Sequence, residues 1–494
     1  MSGHEGESRS RTTVAATAAS GRGEAAAAAR ADRDARSSPA DFGVWQLAWP
    51  TIVSYATHTL VRWADLMMVG PLGGEALAAV GLGGQAFWLV QSVGMLVPTG
   101  LTALLARAVG ARDLDRADRV LRHGLWLAAI LGAATTICGL PLASFAIRLY
   151  GVEPAVVALG ADYLTWLLLG NLPFALGLVL AAALRAAGDS RTPLVTAVIA
   201  NGINVGLNWV LIYGHLGAPA LGVRGAAIAS TLAMITQVAV LLGWWRRGKL
   251  RLRPSRERLR PDRALFGSLF AIGWPAALEG LLFATGILWF QRLVSRYGTE
   301  AVAAYNVGAA ILSLAFLPGM GFAAAASALV GQHLGDRNPA AAARSGWLAT
   351  AGALVCMTLV GSVIVAFSRP IAGLFSRDPA VADLVVLFIW ILGAVLPLMA
   401  VEFALGGALR GAGDTFYPLA VVFTGLFVCR LVPASILALV VAAPIAWVWG
   451  ALVLDYLARA SLVARRFRRG RWRTIQVWEG ETPARREDGA SDFL

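Results

Sequence analysis

Apolar stretches of about twenty residues or more recur along the chain, each long enough to cross the roughly 30 Å hydrocarbon core of a bilayer as a helix. They fall near residues 44–69, 77–106, 121–147, 157–183, 193–213 and 222–245, and then near 266–291, 302–331, 346–367, 381–408, 418–440 and 444–463. The pattern predicts an all-α integral membrane protein with twelve transmembrane helices in two sets of six. Between the sets lies RRGKLRLRPSRERLRPDR, Arg246 to Arg263, with nine basic and two acidic residues.

A ruler runs through this pattern. LRAAGDSRTP begins at Leu184 and LRGAGDTFYP at Leu409, and 409 − 184 = 225. Trp49-Pro50 and Trp274-Pro275, Gly110 and Gly335, and Pro154 and Pro379 keep the same offset of 225. A fixed period of this kind marks an internal duplication. Each copy holds an even number of spans, so both copies insert the same way up. The repeat is parallel, and two six-helix lobes face each other across a midplane cavity. The LRxAGD phrase itself reads as a turn after the fourth span of each lobe, with Gly and Asp breaking the helix.

Composition agrees: 57% of residues are hydrophobic, 14% are charged, and mean hydropathy is +0.66. The net charge of +13 sits in loops, so the basic-loop bias, not nucleic-acid binding, accounts for it. The basic linker, Arg107 to Arg122, and RRFRRGRWR from Arg465 share one side, which places both termini in the cytoplasm of a cell (plasma or inner) membrane. The expected organisation is a disordered tail over 1–41, an N-lobe over 42–245, a linker over 246–263, a C-lobe over 264–463 and a basic tail over 464–494. Cys138, Cys356 and Cys429 stand alone in apolar runs and read as small packing side chains. Paired-acid, HExxH and phosphate-loop patterns are absent, so an enzyme, ATP hydrolysis within the chain and a resident cofactor or metal are not expected.

Polar groups inside spans are costly, about 2.5–3.5 kcal/mol for a charge at a helix centre, so function is sought there. In the first span Thr51, Tyr55, His58, Arg62 and Asp65 fall at i, i+4, i+7, i+11 and i+14, on one helical face. In the fifth, Asn201, Asn204 and Asn208 fall at i, i+3 and i+7. Adding 225 gives Ala276, Gly280, Phe283, Ile287 and Phe290 for the first set, and Leu426, Cys429 and Pro433 for the second. Both polar faces vanish in the second half, which puts the principal site in the N-lobe. Protonation of Asp65 removes the charge that holds a cationic ligand, so proton and ligand compete. The alternative is a static ion pair with Arg62, three residues earlier. His58 is a titrating or a packing histidine. Glu402 and Arg430 are expected to pair structurally.

The stretch WADLMMVGPLGGEALAAVGLG, from Trp63, resembles the first helix and loop of multidrug and toxic compound extrusion (MATE) transporters, closest to their DinF-like bacterial branch. AVAAYNVGAAILSLAFLPGMGFAAAASALVGQHLGDRN, from Ala301, resembles the equivalent region of their second half, and the likeness covers about residues 42 to 463. It implies a V-shaped antiporter, functional as a monomer, that expels organic cations or amphipathic compounds in exchange for protons or, less readily, sodium. A lipid-linked sugar flippase of the wider superfamily is the alternative. The resemblance also implies that Asp65 is the N-lobe coupling site, that Glu279 is a second one, that Pro50 bends the first helix, and that Asn204 and Asn208 match an Asn-xxx-Asp pattern in which Asn208 replaces the aspartate. Tyr55, His58, Arg62 and Asn201 complete the expected substrate cavity.

Overall fold

A computed structural model describes residues 43–248, 252, 261–375 and 378–478; the expected N-terminal tail, most of the linker and the end of the C-terminal tail lie outside these. Every regular element among the described residues is helical. Nine spans run from Gly74–Gly110, Leu114–Arg148, Arg191–Tyr213, Val223–Arg246, Arg263–Tyr297, Thr299–Gly335, Pro339–Ala366, Pro379–Gly411 and Phe416–Leu439, and a tenth from Ile445–Arg468. Pro154–Leu169 and Asn171–Ala186, bent by 49° at Gly170, make one broken span. Val44–Val69, 26 residues long, completes twelve. Its polar face keeps it from standing out as an apolar helix. Numbered in chain order, Val44–Val69 is span 1, the broken helix is span 4 and Ile445–Arg468 is span 12.

The repeat is visible in how the lobes meet. A Cβ added to Gly110, at the end of span 2, would collide with the backbone of Gln332 in span 8. A Cβ on Gly335 would collide with the backbone of Arg107. These are reciprocal contacts, since 335 − 110 and 332 − 107 both equal 225. Only glycine lets the two backbones approach this closely, as in membrane helix pairs generally. Hydrogen bonds repeat the theme. Arg107 Nη2 donates to the Ala412 carbonyl at 2.9 Å, and Gln332 Nε2 donates to the Ala186 carbonyl at 2.7 Å. Both acceptors belong to the LRxAGD phrases, so the turn is also a docking point for the opposite lobe.

These contacts lie at the end of the bundle that carries the basic loops. The close approaches of Gly100 to Leu269, Gly273 to Leu96 and Gly321 to Ile52 continue the seam further along the spans. The lobes are therefore shut at the basic end. Replacing Gly110 or Gly335 by valine drives a side chain into the facing backbone, at about 1–3 kcal/mol for overpacking. The expected outcome is a lower Tm and faster labelling, by a water-soluble maleimide, of a cysteine placed at Ala187 in an otherwise cysteine-free chain. Unchanged labelling would show that closure does not depend on this contact.

The last span runs to Arg468 and the chain then folds back on the bundle. Trp472 is fully buried, stacked on Phe467 with centroids 4.6 Å apart, and its indole donates to the Phe467 carbonyl at 2.8 Å. Val477 enters the N-lobe core, and the Arg116 guanidinium covers Trp478 at 4.6 Å. Residues expected to form a free basic tail from 464 thus begin as helix and continue as a strap across the basic end.

Candidate functional site

Asp65 ends span 1 one turn before Val69, and its carboxylate turns into the N-lobe, 8% exposed. Spans 5 and 6 supply its surroundings. Asn208 Nδ2 donates to Asp65 Oδ1. Asn204, one turn earlier, lies between Asp65 and Ser230. With its nitrogen toward the carboxylate it donates at 3.0 Å, and its oxygen accepts from the Ser230 hydroxyl at 3.2 Å. One turn beyond, the Tyr213 hydroxyl donates to the Met68 carbonyl at 2.6 Å, fastening span 5 to span 1. Asn204 and Asn208 are 3% and 0% exposed, so they hold the carboxylate and do not line open space. Asn201 stays apart, and its amide nitrogen has no hydrogen-bond partner. Asp65 forms no ion pair with Arg62.

The rest of the span 1 face divides. Thr51 is buried, its hydroxyl donating to the Leu47 carbonyl at 2.9 Å. Tyr55 is half-buried under the Arg185 guanidinium of span 4, 6.0 Å from its ring centroid. His58 and Arg62 are exposed. Tyr55 and Asp65 on this face meet spans 4 and 5, and the middle of the face stays exposed between them, where the substrate cavity is expected. Pro50 lies inside the span and is buried, and the helix runs unbroken across it.

In the C-lobe, Glu279 is paired, with Arg410 Nη2 2.7 Å from its Oε1. The expected pair of Glu402 and Arg430 does not form. Arg430 Nε instead meets Asp455 Oδ2 at 2.9 Å, and Arg459 Nε meets Asp455 Oδ1 at 2.5 Å. The cause is local geometry. Thr424–Leu431 is a π-helical segment inside span 11, and such a widened turn rotates the following side chains relative to an α-helix. Arg430 is thereby aimed at span 12, where Asp455 is fully buried. Glu402 is buried on span 10 without a hydrogen bond or ion pair among the described residues.

The MatE family model matches the chain twice, over residues 50–210 and 275–436. The chain belongs to the MATE family. The two matches start 275 − 50 = 225 residues apart, so each lobe is one MATE repeat. The chain is 29% identical over 432 residues to the probable multidrug resistance protein NorM of Thermotoga maritima, covering 86% of this chain and 92% of that one. It is similar to the outward-facing conformation of a multidrug resistance MATE family transporter, with TM-score 0.81 and 25% identity over 89% of this chain and 98% of that one. A MATE structure in the bent conformation gives TM-score 0.80 at 26% identity, over 90% and 97% of the two chains. MATE proteins are multi-pass membrane transporters, not enzymes.

Within this MATE fold the sequence reading missed Ser230 and Asp455, two residues at equivalent positions of the repeat, since 455 − 230 = 225. Both belong to the last span of a lobe and both serve a polar cluster. The two polar faces are absent at the equivalent positions of the second half, and the C-lobe carries a different polar cluster. Its acid, Asp455, comes from span 12, and Arg430 lies on span 11 beside Cys429, the equivalent of Asn204. The 225-residue ruler laid on Asp455 would have found the pairing with Ser230.

Proposed function

We propose that this chain is a multidrug efflux antiporter of the cell membrane, expelling organic cations or other amphipathic compounds in exchange for protons by alternating access. Its basic end and both termini face the cytoplasm, so the present arrangement opens outward. The observation that carries the reading is the buried Asp65 carboxylate of span 1, held by two amides from a neighbouring span. Amides suit a group that gains and loses a proton. Toward a carboxylate an asparagine offers N–H, and turned over it offers an acceptor oxygen to the protonated acid. Asn204 sits where either orientation finds Asp65 and Ser230. Arginine at the same place would fix the charge, as Arg430 and Arg459 fix Asp455 in the C-lobe.

Relatives named for multidrug resistance support the export reading, and a similar MATE structure in a bent conformation supports a moving first span with Pro50 as its bend. Glu279 is a second coupling candidate, provided that its arginine partner releases it. The test is export of a fluorescent organic cation from proteoliposomes under an imposed proton or sodium gradient. A proton gradient alone is expected to drive it. Drive by sodium alone, or none by either, would overturn the coupling assignment.

A further inference from the structure

Arg185 and Arg410 occupy equivalent positions of the repeat, 410 − 185 = 225, each the last residue but one of the helix that precedes an AGD turn. Their surroundings differ in one respect. Arg410 is neutralised by Glu279 at 2.7 Å. The N-lobe position equivalent to Glu279 is 279 − 225 = 54, and Ser54 stands there. Serine cannot balance a guanidinium, and Arg185 forms no ion pair among the described residues.

Arginine keeps its charge in any protein setting, so Arg185 carries a positive charge into the cavity without a counter-ion. It is half-buried rather than sealed. The Tyr55 ring lies 6.0 Å beneath one face of the guanidinium, an arrangement that steadies the plane. The guanidinium is a fork of N–H donors whose spacing fits the two oxygens of a carboxylate. His58 is exposed on the same helical face, one turn from Tyr55. Asp65, the acid of this cavity, lies ten residues beyond Tyr55, about 15 Å along the helix axis.

We infer that Arg185, steadied by Tyr55 and flanked by His58, is a carboxylate-recognition position, and that the N-lobe cavity selects amphipathic substrates bearing a carboxylate. The inference rests on the export reading above and narrows its substrate class. A substrate that also bears a cationic group extends it toward Asp65, so zwitterionic amphiphiles fit both ends of the cavity. The C-lobe, with the same arginine already paired, offers no equivalent position.

The test is binding, read by fluorescence anisotropy on purified protein in a neutral detergent, of tetramethylrhodamine with its free carboxylate and of its methyl ester. The wild type is expected to bind the acid about tenfold more tightly than the ester, a typical gain for a charge-assisted pair. Arg185→Gln should bring the ratio to near one. Ser54→Glu should do the same by supplying the counter-ion that Glu279 gives Arg410, and size-exclusion profiles check that each variant is folded. Equal affinities in the wild type, or a preference that survives both variants, would overturn the inference. Export of the ester from proteoliposomes is measured separately. Its absence alongside an intact acid preference faults only the export reading, and export without any acid preference faults only this one.

Discussion

Asp65→Asn is expected to abolish gradient-driven export, bringing proteoliposome transport to the level of vesicles without protein, while the chain stays folded. The substitution keeps the volume and a hydrogen-bonding oxygen for Asn208 and Asn204, so the expected change in stability is within about 1 kcal/mol, the scale of one hydrogen bond. What is lost is titration. With a permanently neutral residue 65, the cluster of Asn204, Asn208 and Ser230 has no charge to exchange, and substrate and proton no longer compete for it. Passive binding of an organic cation should weaken, since the N-lobe cavity then holds Arg62 and Arg185 with no acid. The measurements are export under a proton gradient and Tm of the purified variant. Full export by Asp65→Asn would remove the carboxylate from the mechanism; a Tm collapse with no export would show only that Asp65 holds spans 1, 5 and 6 together.

The amount of this that a single sequence discloses depends on range. Span lengths and the 225-residue period are local or repetitive signals, and the twelve helices and two lobes follow from them. Asp65 and its amide neighbours were legible because a polar residue inside an apolar span is conspicuous, and because Asn204 and Asn208 share one helical face. Partner choice was not legible. Arg430 and Glu402 are both charged residues in late spans, and nothing in their spacing says that a π-helical segment aims Arg430 at Asp455. Likewise Arg410 looked like part of a turn phrase, and its ion pair with Glu279 spans 131 residues. Asp455 escaped notice for another reason. It lies in DYLARASLVARRFRR, a stretch whose charges read as the basic end of the last span, yet four residues after it Arg459 is buried too.

Asp455→Asn is expected to cost far more stability than Asp65→Asn. The carboxylate is fully buried and answers two buried arginines, Arg430 at 2.9 Å and Arg459 at 2.5 Å. Removing its charge leaves two uncompensated guanidinium groups in the lobe, and breaking a buried pair from one side typically costs about 3–5 kcal/mol. The close approach of Gly425 to Asp455 leaves little room for rearrangement or for water to take the place of the anion. A triple variant with Asp455→Leu, Arg430→Met and Arg459→Met removes the charges together and is expected to recover most of the lost Tm, because well-packed apolar groups often replace a buried ionic cluster at no net cost. Proton-driven export decides what the cluster is for. If the triple variant folds and transports, Asp455 is a structural anchor for spans 11 and 12, and coupling belongs to the N-lobe, where a carboxylate is held by groups that can let its charge go. If it folds and does not transport, the C-lobe cluster carries part of the cycle, and the contrast drawn between amide-held Asp65 and arginine-held Asp455 is wrong.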